Sequence, residues 1–132
     1  MSKIKEFISR VTRAHSGLRE IWLVASPQRD RVRHNSGWKL LAFADEDTFQ
    51  RLRRDARLRR RDIQLLVVRD GDEFCDPWDE GAEPGYLSEW EWMKTSDREA
   101  QYYGTKWVQD EKLGRAITER CEASLLWPSK SK

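Results

Sequence analysis

The chain has 132 residues, of which 36% are charged and 38% hydrophobic, and a formal charge of +2. That length fits one compact domain with a modest core, to which seven Trp, four Phe and three Tyr bring large buriable areas. So small a net charge names no partner, no stretch reaches the ~20 apolar residues of a membrane helix, and two cysteines without Cys-x-x-Cys spacing, with two distant histidines, argue against a zinc site.

Ile4, Phe7, Ile8, Val11 and Ala14 recur at helical spacing, which predicts an amphipathic helix over residues 3–16 that Gly17 can end. Glu20–Ala25, with Trp22 and Val24, reads as a buried strand. Residues 27–36 are a polar loop that can hold a short helical turn, and Trp38–Ala44 is a second strand. Asp45 or Asp47 can cap a helix running to about Arg60, whose apolar stripe is Phe49, Leu52, Ala56 and Leu58. Ile63–Val68 is a third strand, closed by the turn Asp70-Gly71-Asp72.

Residues 74–94 read as irregular, punctuated by Pro77, Gly81, Pro84 and Gly85, with Trp90 and Trp92 on one face of a short strand. Ser96 and Glu99 fit a capping box, which predicts a helix through Tyr103 and Trp107 toward Leu126, weakened at Gly104 and Gly114. The expectation is a single α/β (α+β) domain over residues 1–127, a small mixed sheet flanked by helices, with a flexible tail at 128–132.

Charge is distributed unevenly. Residues 51–61 hold seven arginines against Asp55, whereas residues 70–99 hold eleven acids against Lys94 and Arg98. Arg53, Arg54, Arg57, Arg60 and Arg61 are therefore candidate contacts for nucleic acid or a protein partner. No aromatic residue interleaves with them, so a solvated face, or pairing with the acidic segment, is the favoured reading, and a nucleic-acid module is the alternative. Trp78, Tyr86, Trp90, Trp92 and Trp107 read as a satellite core beneath a long loop rather than a binding surface. Cys75, set among Asp72, Glu73 and Asp76, is not read as a nucleophile, and neither His15 nor His34 has a catalytic pattern beside it.

The segment Ile21-Trp-Leu-Val-Ala-Ser26-Pro, a polar loop, then Gly37-Trp38-Lys39-Leu-Leu resembles the core motif of the nucleotidyltransferase-fold (DNA polymerase β-like) superfamily. In that motif a strand ends in Gly-Ser, and an Asp-x-Asp pair opens the next strand. Ala25 and Ser26 stand at the Gly-Ser, Gly37 and Lys39 at the two aspartates, and Gln64 at the third carboxylate, with Asp62 two residues earlier. The resemblance covers roughly residues 1–94.

The chemistry of that motif needs clustered carboxylates, because hard Mg²⁺ ions take oxygen ligands while they neutralise phosphoryl charge. With Gly37, Lys39 and Gln64 in their places, the resemblance implies a pseudoenzyme: no catalytic residue, no metal ligand, and neither Mg²⁺ nor nucleotide as cofactor. Ser26, Gly37, Lys39, Gln64 and Asp62 then frame a remnant cleft. Lys39 is either an anion-binding cation or a solvated strand-end lysine. The alternative is an active enzyme with relocated ligands, drawn from Asp62 and one of Asp45, Glu46 or Asp47. Proteins resembling this superfamily include small bacterial stand-alone domains, some paired with helical partner proteins in toxin–antitoxin-like modules. The resemblance thus permits a protein partner or a homodimer. Met1–Arg10 lacks a sustained apolar run, so a cytoplasmic chain with no membrane contact is expected.

Overall fold

The computed structural model describes residues 2–25, 38–69, 71–79, 81, 84–109 and 114–128, without the side chains at 2–3, 25 and 104–119. Helix α1 spans Ser2–Ala14, strand β1 Glu20–Ala25, strand β2 Trp38–Ala44 and helix α2 Glu46–Arg54. A 3-10 turn at Ala56–Leu58 leads to β3 (Ile63–Arg69), β4 (Glu73–Cys75) and β5 (Gly85–Tyr86). A one-turn helix, α3 (Leu87–Trp90), and β6 (Met93–Lys94) precede the long hairpin of β7 (Glu99–Gln109) and β8 (Gly114–Trp127). The strands form one sheet in the order β5-β4-β3-β2-β1-β8-β7-β6. All its pairings are antiparallel except β2 with β3.

Alternation along the strands sorts the core into two faces. Ile21, Leu40, Ala42, Leu65 and Val67 point to face one, where Ile4, Phe7, Ile8 and Val11 of α1 and Phe49 and Leu52 of α2 cover them. Trp22, Leu41, Leu66 and Val68 point to face two. There the sheet curls on itself, and the one-turn helix α3 adds Leu87 and Trp90. Trp90, at the end of α3 just after β5, stacks on Tyr102 of β7 with ring centroids 5.1 Å apart. Trp92 meets Trp22 edge-on at 5.3 Å and 89°. The Tyr102 hydroxyl donates to the carbonyl of Val24, joining the hairpin to β1.

Helix α2 starts where expected: Asp45 accepts a hydrogen bond from the Thr48 N–H at 2.9 Å. It ends at Arg54 rather than near Arg60. Beyond Leu52 the helical register presents only arginines and Ala56 to the sheet. Breaking the helix at Asp55 and tightening into a 3-10 turn brings Leu58 into the core at 4% exposure. Asp55 marks the break: its carboxylate accepts from His15 Nε2 at 3.0 Å and from Arg57 Nε at 2.8 Å. The close approach of the α1–β1 turn to α2 explains Gly17, since a Cβ there would collide with Thr48 Oγ1.

The hydrogen bond from His15, reinforced by Arg57, holds the Asp55 carboxyl below the usual carboxylate range. A folded-state pKa lowered in this way adds stability above the unfolded value, and that stability is lost as pH falls through the folded one. The urea midpoint is therefore expected to fall once pH drops below about 4. Asp55→Asn should lower the midpoint at pH 6 and flatten this acid limb; an acid limb identical to the parent's would refute the assignment.

The helix expected over 96–126 is instead the β7–β8 hairpin. The segment is rich in residues that favour a pleated surface (Tyr102, Tyr103, Thr105, Trp107, Val108, Ile117, Thr118) and carries Gly104 and Gly114, which weaken a helix. Ala100 and Tyr102 are buried while Glu99, Gln101 and Tyr103 are not, a period of two. The capping-box residues make a turn: the N–H groups of Thr95 and Ser96 donate to the Glu99 carbonyl at 2.8 and 3.2 Å, linking β6 to β7. The strand expected at Trp90–Trp92 is replaced by α3, ended by Glu91 in the left-handed region (φ 53°), which leaves both tryptophans against face two. The loop at 27–36 and the tail beyond Pro128 lie outside the described residues. Among the described residues no helix is long and apolar enough to cross a membrane.

Candidate anion-binding cleft

The parallel pairing of β2 with β3 sets Lys39 directly beside Gln64. On its other side Lys39 registers with Ala25 at the end of β1. Three positions far apart in sequence thus lie side by side across adjacent strands, which sit ~4.8 Å apart. Lys39 is half-buried and Gln64 exposed, at the N-terminal end of both strands. The Trp38 N–H donates to the Asp62 carbonyl at 2.8 Å, so Asp62 enters this corner through its backbone. Its carboxylate lies 3.5 Å from Arg60 Nε. Ser26 and Gly37 lie outside the described residues.

Gln64 opens onto a cleft of about 650 Å³ lined by Arg59, Arg60, Arg61, Asp76, Trp78 and Asp79. The turn Asp76-Pro77-Trp78-Asp79 forms one wall. Asp76 Oδ1 accepts from the Trp78 N–H at 2.9 Å, and the Asp79 N–H donates to the Asp76 carbonyl at 3.3 Å. Trp78 is anchored from behind, because its Nε1 donates to the Leu52 carbonyl at 2.7 Å. Arg59 Nη1 donates to the Trp78 carbonyl at 3.4 Å. Burial pushes the Asp76 carboxyl up, and the neighbouring Asp79 charge adds to this; the Trp78 N–H, the Arg59 charge and a hydrogen bond from Gln64 act against them. The cleft therefore combines three guanidinium groups with the carboxyl groups of Asp76 and Asp79, and burial raises the pKa of Asp76.

The other candidates separate from this corner. Arg53 and Arg54 are exposed on α2, and Arg57 is exposed and bound to Asp55. Among the described residues the arginine run makes local pairs, Arg57 with Asp55 and Arg60 with Asp62, while Arg59 meets the acidic segment at the cleft, where its charge acts on Asp76. The acidic segment is also met by Arg69, 3.3 Å from Glu73 and 3.5 Å from Glu46. Asp45, Glu46 and Asp47 follow the far end of β2, about 20 Å from Lys39 by six residues of strand rise. Among the described residues no three His, Cys, Asp or Glu side chains gather closely enough to hold a metal ion.

The expected aromatic satellite divides. Trp90 and Trp92 pack on face two with Phe43 and Phe74, Trp78 packs on face one, Tyr86 is 40% exposed, and the Trp107 side chain is outside the described residues. Sequence reasoning missed Arg59, Asp76, Trp78 and Asp79 as cleft residues. The one local signal was Pro77 between two acids and a tryptophan, a turn composition. Comparison of the chain with protein-family models, curated proteins and solved structures returned no match.

Proposed function

We propose that the chain is a nucleotidyltransferase-like domain without catalytic metal chemistry, whose cleft beside Lys39 and Gln64 binds an anionic, phosphate-bearing ligand. The observation that carries this reading is the register: positions that hold carboxylates in the resembled motif are adjacent here, and they carry an ammonium and an amide. Such a pair repels a divalent cation and attracts a phosphate. Arg59, Arg60 and Arg61 line the cleft together with Gln64 and supply charge-assisted donors there, while Lys39 flanks it from the neighbouring strand, outside the lining. The distance from Asp45–Asp47 to this corner supports the inert reading over one with relocated ligands.

Calorimetry with inorganic pyrophosphate and the four ribonucleoside triphosphates, with and without Mg²⁺, tests the proposal. Saturable binding without Mg²⁺ is expected. Lys39→Ala should weaken it by about tenfold, the equivalent of one charge-assisted hydrogen bond. Binding that requires Mg²⁺, or release of pyrophosphate from a triphosphate, would overturn it. A shallow dependence on salt would also count against an anion held by exposed cations.

A further inference from the structure

A second concavity has the opposite character. Helix α1 covers face one over β1 to β3, and where it meets the end of β8 it leaves a groove of about 420 Å³. On the α1 side the groove is lined by Lys5, Ser9, Thr12 and Arg13 beside the buried Ile4 and Ile8, and on the β8 side by the half-buried Leu126 and Trp127. Lys5 and Arg13 stand on the rim, both exposed, and neither is in an ion pair among the described residues. Among the described residues no acidic side chain lines the groove. Eight residues of helix separate the two cations by about 12 Å, so an apolar body lying along α1 has a cation within reach of either end.

The volume limits the occupant. A helix with its side chains is 10–12 Å across, so one helical turn would fill the groove, whereas a small molecule fits the usual size of ligand sites. The charge of the rim asks for an anion, and the planar fork of Arg13 suits a carboxylate.

We propose that this groove binds an unbranched, medium-chain aliphatic carboxylate, its chain against Leu126, Trp127 and the edge of Ile8 and its head group on Arg13, with Lys5 adding positive charge toward the other end of the groove. The site shares no lining residue with the arginine cleft, so it stands or falls independently of the function proposed there.

Calorimetry on the full chain with decanoate below its micelle concentration tests this. One saturable site per chain is expected. Decanol, which lacks the charge, and decyltrimethylammonium, which reverses it, should each bind at least about tenfold more weakly. The double variant Lys5→Glu/Arg13→Glu should weaken decanoate by a similar factor while keeping the parent's urea midpoint, since both side chains are exposed. Ile8→Trp should fill the groove and abolish binding; should that variant not fold, the rim variant alone decides. Absence of saturable heat, equal binding of the three amphiphiles, or unchanged affinity in the rim variant would overturn the proposal. So would a concentration-dependent dimer in sedimentation that the rim variant dissolves, because that result assigns the groove to a second copy of the chain.

Discussion

Trp22→Ala should remove about 3–5 kcal/mol of stability, the range for truncating a large aromatic residue in a core. A domain of this size commonly has only 5–15 kcal/mol in total, so the variant should lose about a third or more of its stability if the parent lies in the lower half of that range. The size of the effect follows from position. Trp22 lies on β1, between β2 and β8, with no exposed surface. It receives the edge of Trp92, and Lys94 Nζ lies 5.8 Å from its ring. Its Nε1 donates to Glu20 Oε1 at 2.9 Å. Among the described residues only the one-turn helix α3 covers face two, so the closure of the curled sheet depends on the aromatic contacts that converge here. Urea denaturation is the measurement: the midpoint should collapse with Ala and fall less with Phe, which keeps a ring but loses the indole donor. A loss below about 1 kcal/mol for Trp22→Ala would contradict a closed aromatic core on that face.

The parts of the fold that were legible in the sequence are those whose signals are local. Glu20–Ala25 and Trp38–Ala44 are apolar runs bounded by polar residues, and both strands occupy those limits. Asp45 is legible as a cap because its partner, Thr48, is three residues away. The end of α2 was not legible, since what breaks the helix is His15, forty positions earlier, holding Asp55. The hairpin was misread for a related reason. A serine followed three residues later by a glutamate starts either a helix or a tight turn, and pairing of β7 with β8 and of β8 with β1 decides for the turn. Long-range pairing overrides local propensity in this way wherever one face of a strand can be buried.

The cleft divides along the same line. Lys39 and Gln64 lie on runs that read as strands in the sequence, while their side-by-side placement comes from the parallel pairing of β2 with β3. The opposite wall was not legible. Trp78 looked like one more member of an aromatic group, yet its indole N–H reaches α2 on face one, and that contact turns Asp76 and Asp79 toward the arginines. The acids of residues 70–99 therefore do not act as one block. Asp76 and Asp79 belong to the cleft, and Glu73 meets Arg69 at the far end of β3.

Trp78 is where stability and anion binding should be lost together. It is half-buried against face one, its backbone N–H holds Asp76, and its carbonyl receives Arg59. Trp78→Phe keeps most of the packing and loses the bond to Leu52. The Leu52 carbonyl still accepts the Asp55 N–H at 2.9 Å, so it is not left bare, and the cost should be about 1 kcal/mol. Trp78→Ala removes the wall itself; the partial exposure of the side chain places the expected cost at about 3 kcal/mol, the lower end for a tryptophan. Urea midpoints give the two stabilities, and pyrophosphate calorimetry gives the two affinities. The Phe variant should bind pyrophosphate as the parent does. The Ala variant should bind it more weakly than its fraction of folded protein accounts for, because the turn that positions Asp76 and Arg59 has lost its anchor. If both variants bind equally per folded molecule, the wall does not shape the site, and the anion rests on groups that Trp78 does not position, such as Gln64, Arg60 and Arg61.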